Sequence, residues 1–497
     1  MANITEDTLN LIKAAHAQQG DNISKSITTA NNLVAYDLQA PAKNLYPVQT
    51  PIRNTLPRTG GIGTATNWRT VRNIIGSGFD AMGWVPEGQR SGRMSYLTQS
   101  LSASYKTMGE EDQATYEAIS AGRGFEDIRA RMTMRLLQKL MLKEEAAIIG
   151  GNTSVSLSAP AAPTVSAGAS GGTVAADNYY VWCVALTYEG YRNSSVASGV
   201  ATSQTITGAD GLTYTLSGGS SAASAISLVQ AITLGQTLRA SVPVVNGAIG
   251  YAWYVSKTNN TAGTAFLQAI TTINSVEFTA PVVTSGTQLV TAITANNSTN
   301  TLAFDGLMYQ AFNTSSGAYV QPLATGTAGT GTPLTASGRG SVEEIDDMLV
   351  TMWNNNQLSP TVIYCNAQEI RNISNKVLSG GTNAPLVRYN LNNEQSMAIG
   401  ASPFIDSYFN PITKQPLKVE VHPNVPPGTI LAWADNLPAQ YQSSEVPNVA
   451  EIRARQDYYQ IDWPVTSRQQ QVGVYAEEVL VVYAPFAIGI ITNIANG

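Results

Sequence analysis

The amino-acid sequence predicts an α+β protein with an all-β sandwich inserted into it. Three observations carry this. Phe125, Ile128, Met132, Leu136, Leu140 and Met141 recur every three to four residues, one apolar stripe of a long helix over Phe125–Ile148. Ser95–Met108 alternates, with Leu97, Leu101, Ala103 and Tyr105 on one face and Thr98, Ser100, Ser102 and Ser104 on the other, the period of a strand. Thr153–Asn300 carries only Asp177, Glu189, Arg192, Asp210, Arg239, Lys257 and Glu277 as charges, in a chain with 28 Lys+Arg and 34 Asp+Glu.

The elements follow in order. Thr5–Gln18 reads as a short amphipathic helix, and Pro41, Pro47, Pro51 and Pro57 then forbid a long helix or a central strand. Residues 1–62 are therefore an extended arm that needs a surface to lie on. Thr66–Ile74 is a second strand, so Gly76–Arg93 is the tip of a two-stranded ribbon. Within it Gly83–Ser91, "GWVPEGQRS", imitates the glycine spacing of a phosphate-binding loop, but Gln89 and Arg90 stand where lysine and hydroxyl belong. A phosphate loop must also open a helix, and here a strand follows. The glycines shape a turn instead. An isolated ribbon is marginal in water, so Trp84, Glu87, Arg90 and Arg93 are expected to contact a neighbouring subunit, being the residue types enriched at protein interfaces.

The long helix has acids at its start (Glu126, Asp127), Gly150–Gly151 at its end and a basic face of Arg129, Arg131, Arg135, Lys139 and Lys143, for which acidic protein neighbours are expected. In the charge-poor segment, "YVWCVALT" from Tyr180 and "YAWYVSKT" from Tyr251 echo each other, as paired core strands or as two small repeats. The segment looks like an immunoglobulin or fibronectin type III module, with chain ends near Gly151 and Leu302 that should lie close together, as an inserted domain requires. Beyond Thr301 lies the connector Thr325–Gly340. Ser341 and Glu344 form a capping box for a helix through Trp353, with Ile345, Met348, Leu349 and Met352 inward. "PTVIYC" is a buried strand, and Asn366 opens a helix burying Ile370, Ile373 and Val377. The strands "LKVEV", "TILAW", "AEIRARQ", "YYQIDW" and "QVGVYAEEVLVVY" complete a mixed sheet.

Composition narrows the chemistry. A net charge of −6 offers no basic footprint for tight nucleic-acid binding. His16 and His422 leave few candidates for imidazole catalysis or a His-rich metal site, and His422 is read as structural. Cys183 and Cys365 have neither disulfide nor zinc spacing and read as buried thiols. The N-terminus has no secretory pattern, and the apolar run Val479–Ile491 is too short to span a bilayer, so the reading is a protein made in a cytoplasm, with no membrane partner.

The order of arm, glycine-tipped ribbon, long basic helix and α+β region resembles the major capsid proteins of tailed bacteriophages, the Hong Kong 97 fold. "PTVIYCNAQEIRNISNKVL" resembles that family's strand–Asn–helix segment, "HPNVPPGTILAWADN" the strand–turn–strand after it, and "VGVYAEEVLVVYAPFAIGIITN" its C-terminal strands. The resemblance implies an N-terminal arm (1–62), an E-loop hairpin (63–108), a P domain with its spine helix (109–152), the inserted sandwich (153–300) facing outward, a P-domain return and connector (301–340), an A domain (341–474) and C-terminal strands (475–497). It implies a structural protein and not an enzyme, with no catalytic residue, cofactor or metal. Its partners would be itself in pentamers and hexamers of an icosahedral shell, portal, scaffolding or decoration proteins, and weakly held double-stranded DNA. Its place would be the virion capsid, assembled in the host cytoplasm. Two departures are visible. No lysine lies between Lys43 and Lys106, so the ribbon tip lacks the nucleophile with which some members cross-link subunits. Little sequence precedes the arm, so no fused scaffolding segment is expected.

Two rival classes are an encapsulin-like compartment shell and a secreted carbohydrate-active enzyme with a fibronectin-like module. The enzyme would need a carboxylate pair in a cleft. Its candidates, Glu343, Glu344, Asp346 and Asp347, fall on the first turns of a helix, where the dipole alone favours acids.

Overall fold

The computed structural model describes residues 9–10, 13–14, 46–78, 82–123, 127–208, 210–257, 259–337, 340–379, 405, 407–438, 441 and 448–497. Most of the helix expected at Thr5–Gln18 and most of the arm, with Phe125 and Glu126, lie outside these residues. The first strands are β1 (Arg58–Gly60), β2 (Ala65–Ile75), β3 (Ser95–Ser104) and β4 (Lys106–Thr115). The middle of the chain holds β5 (Thr164–Ala167), β6 (Asp177–Leu186), β7 (Ser203–Thr207), β8 (Thr213–Ser217), β9 (Gln230–Ile232), β10 (Leu238–Ser241), β11 (Gly250–Lys257), β12 (Phe266–Thr271) and β13 (Ser275–Phe278). The last third holds β14 (Tyr319–Pro322), β15 (Val362–Cys365), β16 (Ser407–Phe409), β17 (Pro416–Val421), β18 (Ile430–Trp433), β19 (Ala450–Asp462), β20 (Gln469–Val482) and β21 (Ile488–Thr492).

A mixed sheet ordered β14-β21-β18-β15-β17-β16 forms one centre of the molecule. Its central strands are apolar throughout because both faces are covered. The helix Glu343–Asn356 lays Ile345, Met348, Leu349 and Met352 into the core formed with Ile363, Leu431 and Ile490. The expected capping box does not form: the helix begins after Val342, Ser341 Oγ donates to Asp346, and the Glu344 carboxylate accepts the Thr335 N–H. A long-range backbone donor has taken the glutamate that a local cap would have used. Asn366 does cap its helix, accepting from Gln368 N at 3.1 Å, and Ala367–Ser379 follows.

A second sheet is ordered β1-β19-β20-β4 and carries the long helix, Ile128–Gly150. Asp127 caps that helix by accepting from Arg129 and Ala130 N–H groups. Met132, Leu136 and Leu140 pack on Ala114, Val472, Val474 and Ala476. This sheet departs from the sequence reading in two ways. The alternating run Ser95–Met108 is broken at Tyr105, and a separate strand continues to Thr115. Strands β19 and β20, expected in one mixed sheet with "LKVEV" and "TILAW", pair with each other and with β1 and β4 instead. Alternation identified them as strands, but register alone decides which sheet they join. The basic helix face meets acids of the same chain: Arg129 pairs with Asp462 at 2.7 Å, and Lys143 with Glu110.

Between Gly151 and Leu302 the described residues build three antiparallel sheets, the exposed pair β7-β8 and two larger ones, β13-β10-β5 and β12-β11-β6-β9; the larger two share one apolar cluster, with Leu238, Ala240 and Val276 from the first and Tyr179, Val181, Cys183, Tyr251, Trp253 and Val255 from the second. The echoing runs are hydrogen-bonded neighbours, β6 against β11. Their tryptophans nevertheless face opposite ways, because Trp253 stands opposite Cys183 and Trp182 opposite Tyr254. Trp182 therefore joins a second cluster with Val200, Leu267 and Ile293. Two of the few charge pairs staple adjacent strands, Arg239–Glu277 at 2.8 Å and Lys257–Asp177 at 3.6 Å.

The outer edge of β6 is closed by an irregular segment with serine at every third position. Ser221, Ser224 and Ser227 donate their N–H groups to the carbonyls of Ala185, Cys183 and Val181, and their hydroxyls accept the N–H groups of the same three residues at 2.9 Å. Each serine thus satisfies both backbone groups of one strand residue, which leaves no open edge there.

The ends of this middle segment lie side by side: Asn300 N donates to Asn152 O and Gly306 N to Gly151 O, both at 2.8 Å. A Cβ at Gly150 would meet the Tyr188 ring at 2.3 Å, so only glycine allows the helix to end there. The segment is not a free appendage. Tyr188 and Ile249 belong to the central core, Tyr309 Oη donates to Gly247 O, and Asn274 N donates to Asn493 at 2.8 Å. These buried contacts join the segment to the body.

Candidate assembly interface

Strands β2 and β3 pair antiparallel from Ala65↔Ser104 to Ile75↔Ser95, with one irregularity between Val71 and Asn73. At roughly 3.3 Å per residue the eleven residues of β2 extend about 36 Å. The irregularity divides the ribbon. On its near side one face is held: Trp68 meets Tyr483 edge-on at 5.7 Å, Thr66 Oγ1 lies 2.6 Å from Tyr105 Oη, and Arg72 donates to Ser316 O. On its far side both faces are bare, and Ile74, Ile75, Met94, Tyr96 and Leu97 are exposed.

The tip continues this. Met82, Trp84 and Val85 are exposed, Trp84 to 92%. Gln89 N donates to Pro86 O across a turn whose third residue, Gly88, has φ +74°, a value that requires glycine. The strand β3 follows the tip where a phosphate loop would open a helix. Glu87, Arg90 and Arg93 are exposed beside Trp84, and none of the four pairs with a described residue. The four residues singled out from the sequence are thus brought to one loop and are left without intramolecular partners among the described residues.

Two of the four acids considered for an enzyme are committed elsewhere, and Glu343 and Asp347 are exposed. Glu344 is buried on Thr335 N, and Asp346 accepts from Tyr408 Oη at 2.7 Å and from Ser341. Cys183 and Cys365 are free and buried, and burial pushes both thiols up. His422 is fully buried with Nε2 2.5 Å from Glu145 Oε1, while Asn424 N donates to its Nδ1. Its partner lies 277 residues away, beyond the reach of any local pattern. Among the described residues no cluster of His, Cys, Asp and Glu could hold a metal ion, and no helix is long and apolar enough to cross a membrane.

No family model and no curated protein matches the chain. The solved structures to which it is similar include capsids and an encapsulin. They include the capsid of the myovirus phage XM1 (10% identity, TM-score 0.41, covering 95% of this chain and 100% of that one). The capsid of the native GTA particle has 8% identity, TM-score 0.42 and covers 96% and 100%. The holo-SrpI encapsulin of Synechococcus elongatus has 10% identity, TM-score 0.39 and covers 95% and 97%.

Proposed function

We propose that the chain is the major capsid protein of a tailed phage, a structural subunit that closes into an icosahedral shell around double-stranded DNA. One observation carries the reading: the far half of the ribbon exposes Ile74, Ile75, Met94, Tyr96 and Leu97, apolar side chains that the described residues leave largely uncovered. A two-stranded ribbon of that kind is unstable in water, and exposed apolar surface of that extent marks a protein contact. The described core is packed without the far half of the ribbon, and the cover read for that half is another copy. Subunits that each reach onto the next form heterologous contacts, which close into rings of five and six.

In this reading 1–62 is the arm, 63–108 the hairpin, 109–152 and 301–340 the P domain, 341–474 mainly the A domain, 475–497 the closing strands, and 153–300 an immunoglobulin-like sandwich on the outer surface. Trp84, Glu87, Arg90 and Arg93 lie on the adjacent subunit. The order of elements and the segments that resemble the Hong Kong 97 fold support the assignment. The test is electron microscopy of the protein purified from cells that express it. Closed particles of megadalton mass are expected; a stable monomer at physiological salt overturns the reading. Extracting the particles distinguishes the two kinds of shell, since a phage head yields double-stranded DNA and a compartment shell yields cargo protein.

A further inference from the structure

The segment 51–60, which joins the arm to the ribbon, is docked through charges withdrawn from water. Glu145 accepts the Ile52 and Arg53 N–H groups at 3.0 and 2.7 Å. Glu144 holds Arg53 Nε at 2.6 Å and also Arg58. Arg58 Nη2 reaches Glu478 Oε2 at 2.7 Å and Asp457 at 2.8 Å. The Tyr458 ring lies 5.2 Å from the Arg53 guanidinium and 5.1 Å from that of Arg58. Glu144, Glu145 and Glu478 are all fully buried, and Glu478 Oε1 is buried with no hydrogen bond to a described residue.

Glu478 is the buried carboxylate this arrangement satisfies least, with Oε1 unpartnered among the described residues. Arg58 on β1 faces it, as do Glu144 on the long helix and Asp457 on β19. On β4, Lys106 is its register partner, but the Lys106 ammonium donates to Thr301 O. Arg53, Glu145 and His422 lie one contact further, and Lys143 is engaged by Glu110. The Arg58 guanidinium is thus shared among three carboxylates, two of them fully buried, and of these Glu144 also holds Arg53 while Glu478 has Arg58 alone among the described residues. A buried charge without full pairing is costly.

We propose that Glu478 is a protonation-controlled latch: neutral, it leaves Arg58 to Glu144 and keeps 51–60 docked; ionised, it sets a second buried negative charge against Glu144 and loosens the segment. Burial, with the Glu144 charge adding and Arg58 opposing, pushes the Glu478 carboxyl up to about 8. The sign follows from linkage. A carboxyl raised in the docked state holds a proton that the released state loses, so docking is strongest below the ordinary carboxylate range. It weakens as pH rises through that range toward about 8 and then levels off.

The test is hydrogen–deuterium exchange of the full chain at about pH 6 and about pH 9, corrected for intrinsic exchange. Opening of 51–60 is expected to increase at least tenfold, roughly, at the higher pH, with strand β11 as an unchanged control. Glu478→Gln, which fixes the neutral form, is expected to abolish the difference. Glu144→Gln, which removes the facing charge, is expected to shrink it. A wild-type segment indifferent to pH overturns the proposal, and so does a Glu478→Gln variant that keeps the full response. The measurement reads the subunit itself and is independent of whether it forms shells.

Discussion

Trp84 and His422 mark the two extremes of what single residues declare. A tryptophan in a glycine-rich turn has nothing local to bury it, so its need for a partner is legible from its neighbours in sequence. His422 looks solitary in sequence because Glu145 meets it only after the helix and the sheets have packed; nothing in "VEVHPNVPPG" announces a glutamate 277 residues away. The same limit hides Glu144 and Glu478, which read as ordinary polar positions on a helix and a strand. Trp84 also supports a graded prediction. Removing its side chain forfeits roughly 2 kcal/mol or more of burial per subunit if it lies on a neighbour. A partly exposed arginine pair is worth about 0.2–1 kcal/mol. Trp84→Ala is therefore expected to lower the dissociation temperature of assembled particles far more than Arg93→Ala, with the circular dichroism of the dissociated subunit unchanged. Equal effects would remove the tryptophan from the contact.

Elements were recognised where periodicity is strong and missed where composition misleads. The long helix, the ribbon and strands β15, β17, β18 and β20 are legible because their apolar residues keep period. Strand β4, "KTMGEEDQAT", is not, because consecutive acids resemble a solvated turn; pairing with β20 makes it a strand. The serines from Ser220 onward carry no periodic signal of a strand, although Ser221, Ser224 and Ser227 act as a hydrogen-bonded edge. Removing one hydroxyl leaves a buried strand N–H unpaired at a cost of about 1–3 kcal/mol. Ser224→Ala is thus expected to lower the melting temperature measurably, whereas Ser203→Ala, on the exposed β7, is expected to leave it unchanged. Equal melting of the two variants would mean that water replaces the hydroxyl.

At the scale of the whole molecule, the charge-poor middle was visible as a unit, but its attachment was not. Composition gives the boundary near Gly151, while the buried contacts of Tyr188, Ile249 and Asn274 depend on tertiary packing. Replacing 153–300 by a short Gly/Ser linker is accordingly expected to lower the melting temperature of the remaining body, since it uncovers Phe304 and Tyr309. Trimming the exposed hairpin 203–217 is expected to have little effect; scanning fluorimetry of both deletions decides, and a larger loss from the hairpin contradicts the described packing. The lysine-free stretch between Lys43 and Lys106 carries a separate expectation. Particles boiled in detergent should release single chains of 52.6 kDa. A ladder of covalent multimers would refute it.

The serine edge has a consequence for how this chain can vary in length. Its rungs advance three residues for every two of β6, so the segment climbs about 2.2 Å per residue beside a strand that climbs about 3.3 Å. Adding or losing one residue between Ser221 and Ser227 would turn every later hydroxyl away from its amide, and two would do the same. Three would restore the phase. Length change in this part of the chain is therefore quantised, with a reading frame of three set by hydrogen bonds.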